Sequence, residues 1–168
     1  MLLKNSLSTV FLSVLFVWIS AFALRAQHPN ILISDQSNPN EPSICIDPKR
    51  PNRLLAGANH HHYFTSSDTG KTWNAAVLSS AYGVWGDPAI SVDTTGSFYF
   101  LHLSNPPGGS GSWIDRIVIQ KSVNAGQTWS PGTFTGLNNG KAQDKHWMAV
   151  DRKTNHLFIT WTEFDDYG

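Results

Sequence analysis

Glu41, Asp87 and Asp144 are the residues best suited to chemistry. Each acid stands just ahead of a short apolar run, at nearly one position of a repeat. Carboxylates gathered this way can serve as general acids or as metal ligands. The same placement also suits acids that cap an incoming loop, and the residues alone leave both readings open. Asp87, followed by Pro88, is the foremost acid/base candidate, with Asp144 as its catalytic companion. Glu41, His61, Trp85, Trp113, Arg116 and His146 are the candidate substrate-binding residues. Trp85 and Trp113 stand in or beside Gly-rich loops, where an indole can stack on a sugar face. Paired carboxylates with aromatic platforms suit the processing or binding of glycans.

Other groups carry less. In the extended stretch His60-His61-His62, the first and third rings share one side and His61 takes the other. Zinc needs three or four converging ligands, and this spacing supplies no convergence. Glu163, Asp165 and Asp166 form a short acidic loop of the kind common on surfaces. No metal and no cofactor is expected. Cys45, the single cysteine, lies in the apolar run Ser43–Ile46 and reads as a small buried hydrophobe. One cysteine makes no internal disulfide.

The elements that position these groups follow from composition. The chain has 168 residues, about one domain. Lys+Arg and Asp+Glu are 12 each, so the net charge is zero. That balance excludes the basic excess of a nucleic-acid binder. Aromatics are 12% and charged residues only 14%, which points to an all-β chain. Residues 1–26 read as a signal peptide: Lys4, an apolar stretch, then small residues up to Ala26. The remainder, 27–168, is then exported, to the cell surface, the periplasm or the medium. A membrane enters only through that leader, if it is not cleaved.

Three segments after the leader are alike. They are Glu41-Pro-Ser-Ile-Cys-Ile-Asp47, Asp87-Pro-Ala-Ile-Ser-Val-Asp93 and His146-Trp-Met-Ala-Val-Asp151, each followed by a turn and a second apolar run. Each reads as strand, Asp-initiated turn, strand. The spacing predicts four-stranded units near 41–80 (strands 43–47, 53–58, 62–67, 73–78) and 87–135 (strands 89–93, 97–104, 114–122, 129–134), and part of a third near 144–168 (strands 146–151, 156–162). Asn30–Ser34 is expected to form a further strand ahead of them. A period of about 50 residues fits one propeller blade.

A second element alternates with the first. Ser66, Asp68, Gly70, Thr72 and Trp73 form one octapeptide. Ser122, Asn124, Gly126, Thr128 and Trp129 form the other. Asp or Asn ties the turn to its own backbone, Gly takes a positive φ, and Trp covers the turn from the core side. These octapeptides resemble the Asp-box, or BNR, repeats of sialidase-like β-propellers. The resemblance covers roughly Asn30 to Gly168 and implies such a propeller, about two and a half blades of it, as the N-terminal part of a longer protein. It implies an active site on the face opposite the Asp boxes, where the rim residues above would gather.

The resemblance also implies a glycoside hydrolase acting on a glycan or glycoconjugate. The alternative is a non-catalytic propeller that binds glycans or proteins at the cell surface. The arginine-bearing Phe/Tyr-Arg-Ile-Pro motif of sialidases does not occur in this sequence. Arg50, Arg53 and Arg152 flank turns on the Asp-box face, so Arg116 alone is expected on the rim. No oligomer is implied.

Overall fold

The computed structural model describes residues 28–106, 114–138 and 140–165. The leader and Trp113 lie outside the described residues. All ten described strands belong to the unit Leu32–Gly168. They are β1 (Ser43–Ile46), β2 (Leu54–Ala58), β3 (His62–Ser66), β4 (Asn74–Val77), β5 (Gly86–Val92), β6 (Phe98–Leu103), β7 (Ile117–Ser122), β8 (Thr133–Thr135), β9 (Ala142–Val150) and β10 (Leu157–Phe164). Among the described residues there is no helix. The fold is all-β.

The strands make three antiparallel sheets in chain order. β1 to β4 form the first, β5 to β8 the second, and β9 with β10 the third. β5 lies against both β1 and β9, so the first strands of the three sheets are neighbours. Asn30–Ser34 is not a strand. Ile31 and Leu32 are 50% and 74% exposed, and no strand among the described residues pairs with them. The segment stays extended without a ladder partner, although Ile33 packs against the cluster of Ala56, Ala58 and Phe64.

Two cores flank β6, and a third, smaller cluster of Ala56, Ala58 and Phe64 takes Ile33 and Trp73 against the first sheet. Leu55, Tyr63, Leu78, Val92, Phe98 and Phe100 form one, and Cys45 packs against it. Burial pushes the Cys45 thiol up to about 12, so it stays protonated and inert. Leu101, Leu103, Ile114, Ile117, Ala142 and Met148 belong to the other. β6 separates them, and all six of its residues are buried. A strand packed on both faces reads as a continuous apolar run, as Phe98–Leu103 does.

The turns are held by the expected residues. Asp47 and Asp93 are almost fully buried. Asp93 accepts from Thr95 N, Ser97 N and the hydroxyls of Thr95 and Tyr99, at 2.6–2.9 Å. Burial alone would raise its pKa; these hydrogen bonds outweigh burial and bring it to about 2. In the first octapeptide, between β3 and β4, Ser66 Oγ accepts from Gly70 N at 2.9 Å, and Asp68 Oδ1 accepts from Thr72 N at 3.0 Å. In the second, between β7 and β8, Ser122 and Asn124 make the matching bonds at 2.8 and 2.9 Å. Gly70 and Gly126 take φ of 81° and 84°.

The two copies differ at the indole. Trp73 Nε1 donates to Gly70 O at 3.0 Å. In the second copy Gly126 O instead accepts from Tyr63 of β3, at 2.9 Å. Trp129 Nε1 is left buried with no hydrogen-bond partner, while its ring packs edge-on against Tyr63 and Phe100. Each octapeptide holds itself the same way; the neighbouring sheet decides what its tryptophan does.

Candidate functional site

The site is built where the first strands of the sheets begin. β5 pairs Gly86 with Leu103 and then Ala89 with Leu101. Two residues, Asp87 and Pro88, therefore face one, His102. β9 repeats the device: Asp144 pairs with Thr162 and Trp147 with Thr160. Lys145 and His146 face Trp161 alone. Such bulges break the ladder and re-aim side chains. Pro88 has no N–H to lose.

The first residue of each bulge is left-handed. Asp87 has φ 51° and Lys145 φ 53°, and Glu41, ahead of β1, has φ 50°. All three stand at one offset from their turn aspartates, Asp47, Asp93 and Asp151. For residues with a Cβ this conformation costs roughly 1–3 kcal/mol each. The repeat position is thus Glu41, Asp87, Lys145. Asp144 stands one residue earlier, and the base Lys145 fills the place of the third acid.

Asn59, just after β2, ties two of these positions together. Its Nδ2 donates to Glu41 Oε2 at 2.7 Å, and its Oδ1 accepts from Asp87 N at 2.5 Å. Gly86 makes room for that carboxamide, since a Cβ there would sit 2.0 Å from Asn59 Oδ1. Ser43 Oγ accepts from Ile90 N at 2.9 Å and fixes β1 to β5.

The Glu41 and Asp87 carboxyls line the same cleft, and each shifts the other's affinity for a proton. Burial, the nearness of Glu41 and the charge of Asp144 push Asp87 up to about 6. Glu41 is held below its usual value by Asp87 and by the bond from Asn59. Asp87 is therefore the member that carries the proton. Lys145 Nζ stands 3.6 Å from Asp87 Oδ2 and 3.4 Å from Asp144 Oδ2. Asp144 is 2% exposed and meets the site through Lys145.

A cleft of about 370 Å³ opens over this group, lined by Glu41, Ser43, Asp87, Lys145, His146 and Trp147, with Pro42 and Pro88. His146 is 5% exposed, and burial lowers its pKa, so the ring is neutral. The main chain of Leu101 and Asp87 lies near it, yet neither ring nitrogen completes a hydrogen bond. Trp147 stands 67% exposed at the rim. A larger cleft, about 570 Å³, runs along Tyr63, Gln120, Trp129 and Ser130. It has no acid or histidine in its wall, whereas the smaller cleft gathers Glu41, Asp87, Lys145 and His146.

The structure brings Glu41, Asp87 and His146 to one cleft, and among the described residues Trp85, His61 and Arg116 stand outside it. Trp85 is tilted against His60, ring centroids 5.0 Å apart. His61 stacks on His62 at 4.8 Å, its pKa lowered by burial and by His62 and His60. Arg116 is held by Asp115 at 2.5 and 2.7 Å and lies over Phe134. Glu163 accepts from Gln143 and Asn138, and Asp165 pairs with Lys141. Among the described residues no three His, Cys, Asp or Glu side chains are grouped to hold a metal ion. Lys145, Asn59 and Trp147 join the site as residues to which the sequence reading gave no role, though it set Lys145 and Asn59 on the same rim. A constant offset from the turn aspartates was the signal for Lys145.

No family model matches the chain, and no curated protein matches it.

Proposed function

We propose that the three sheets are blades of a sialidase-like β-propeller in an exported protein, and that the cleft is the acid/base part of a glycoside hydrolase site. The octapeptide turns, the meandering sheets and the adjacency of β1, β5 and β9 support the propeller. One observation carries the chemistry: Asp87, on a left-handed bulge, shares the cleft with Glu41 and stands 3.6 Å from Lys145 Nζ, and burial with the neighbouring acids pushes it up to about 6. A carboxyl group raised into this range can protonate a leaving glycosidic oxygen near neutral pH. Asp87 is the general acid and Glu41 keeps its proton in place. Asp144 positions Lys145, whose ammonium lowers the cost of ionising Asp87 once the proton has left. Trp147 offers a platform for the sugar face.

A second reading, a glycan-binding propeller without turnover, has its own support. Glycosidase carboxylates stand about 5–9.5 Å apart, with substrate or water between them, whereas a single Asn59 carboxamide ties Glu41 to the backbone of Asp87.

The test is turnover of a panel of 4-nitrophenyl glycosides by the full chain. Asp87→Asn should cut the rate by about 10²–10⁴ with an unchanged circular dichroism spectrum. Undiminished turnover removes Asp87 from the mechanism. Saturable binding of glycans with no turnover of any glycoside selects the second reading.

A further inference from the structure

The cleft holds more negative charge than its cation neutralises. Glu41 and Asp87 line it, and Lys145 is the one basic residue in its wall. That ammonium is already shared between Asp87 and the buried Asp144. Arg50 holds Asp47 at 2.9 Å and Arg116 holds Asp115, both away from the cleft. A ligand carboxylate needs a fork of donors or an available ammonium, and here it would meet carboxylates.

His146 lines the cleft at 5% exposure, with its ring nitrogens buried beside the main chain of Leu101 and Asp87. The groups that face the opening are the carboxylates, and ionised carboxylates accept hydrogen bonds from hydroxyl groups. Trp147 at the rim supplies an apolar face beside these polar groups.

We infer that this cleft takes an uncharged, hydroxyl-rich sugar residue and excludes one that carries a carboxylate. The inference rests on the glycan reading above and adds the charge class of the ligand. Exclusion comes from like charges facing one another in a partly buried site.

Calorimetric titration of the full chain tests it. The probes are methyl glycosides of glucose, galactose and N-acetylglucosamine, against those of glucuronate, galacturonate and N-acetylneuraminate. At least one neutral glycoside should bind at least about tenfold more tightly than its acidic counterpart at low salt. The gap should narrow in about 0.5 M salt, because screening weakens repulsion and leaves shape untouched. Trp147→Ala should weaken the neutral sugar at least about fivefold, in line with the loss of a stacking platform. An acidic glycoside that binds as tightly as the neutral ones overturns the inference and leaves the glycan reading intact. Neutral binding that ignores Trp147→Ala overturns the placement. Binding by none of the probes overturns the glycan reading, and the inference with it.

Discussion

Asp87 and Lys145 occupy the same place in two neighbouring strands. Each is the first residue of a two-for-one bulge, each is left-handed at φ 51° and 53°, and their side chains meet at 3.6 Å. The backbone repeats while the charge is inverted. The packing of β5 against β9 places these opposite charges on matched bulges, facing one another.

The pH response of Asp87 has a definite sign. Its folded value, about 6, lies above the ordinary 3.8. The folded state therefore binds the proton more tightly, and stability falls as pH rises from about 4 to about 6. Asp87→Asn removes like charge beside Glu41 and tolerates the left-handed backbone. It should stabilise the protein by about 1 kcal/mol above pH 6 and change little below pH 4. Urea unfolding across that range reads the difference. The Asp87 carboxyl carbon should titrate near 6 by NMR, with Glu41 titrating below its usual range. A loss of stability in the variant at pH 7 would contradict a proton held on Asp87.

Gly86 is fixed by space as well as by φ 125°. Gly86→Ala puts a methyl onto Asn59 Oδ1 and forces the carboxamide away from both Asp87 N and Glu41. Loss of about 2 kcal/mol or more is expected from strain plus two broken hydrogen bonds. Asn59→Ala should lose about 1–2 kcal/mol by the second route alone. In both variants the Glu41 carboxyl should titrate closer to its ordinary value. An unshifted Glu41 in Asn59→Ala would show that Asn59 does not hold it.

Tyr63→Phe frees Gly126 O for the indole of Trp129. The first octapeptide shows the arrangement that becomes available, Trp73 Nε1 on Gly70 O. The loss of the Tyr63 hydrogen bond, about 1 kcal/mol, should be partly recovered if the indole turns to it. The indole N–H resonance of Trp129 should then move toward that of Trp73 and exchange more slowly. A static resonance would show that packing against Phe100 fixes the ring.

The repeat made much of the fold readable. Turn aspartates and octapeptides mark where strands end, and observed strands such as β2 and β3 fall within a residue of the expected 53–58 and 62–67. The expected starts of β5 and β9, at 89 and 146, were late. The strands begin at Gly86 and Ala142, because a bulge breaks the alternation by which strands are recognised. That break is also what makes the site. Glu41, Asp87 and His146 were legible as residues near strand starts. Asn59 was not: its bond to Asp87 N spans two sheets, and nothing local in Ala58-Asn59-His60 announces it. Trp85, His61 and Arg116 have the right types in the right loops, but neighbouring rings and Asp115 engage them first.

β6 has a consequence for how the protein comes apart. One strand is the wall of two cores, with Phe98 and Phe100 on one side and Leu101 and Leu103 on the other. Peeling the first sheet away would bare half of β6 to water, and removing the third would bare the rest. Apart from the small cluster of Ala56, Ala58 and Phe64 on the first sheet, the cores draw on this single strand, so heat or denaturant is expected to take the three sheets down in one cooperative step.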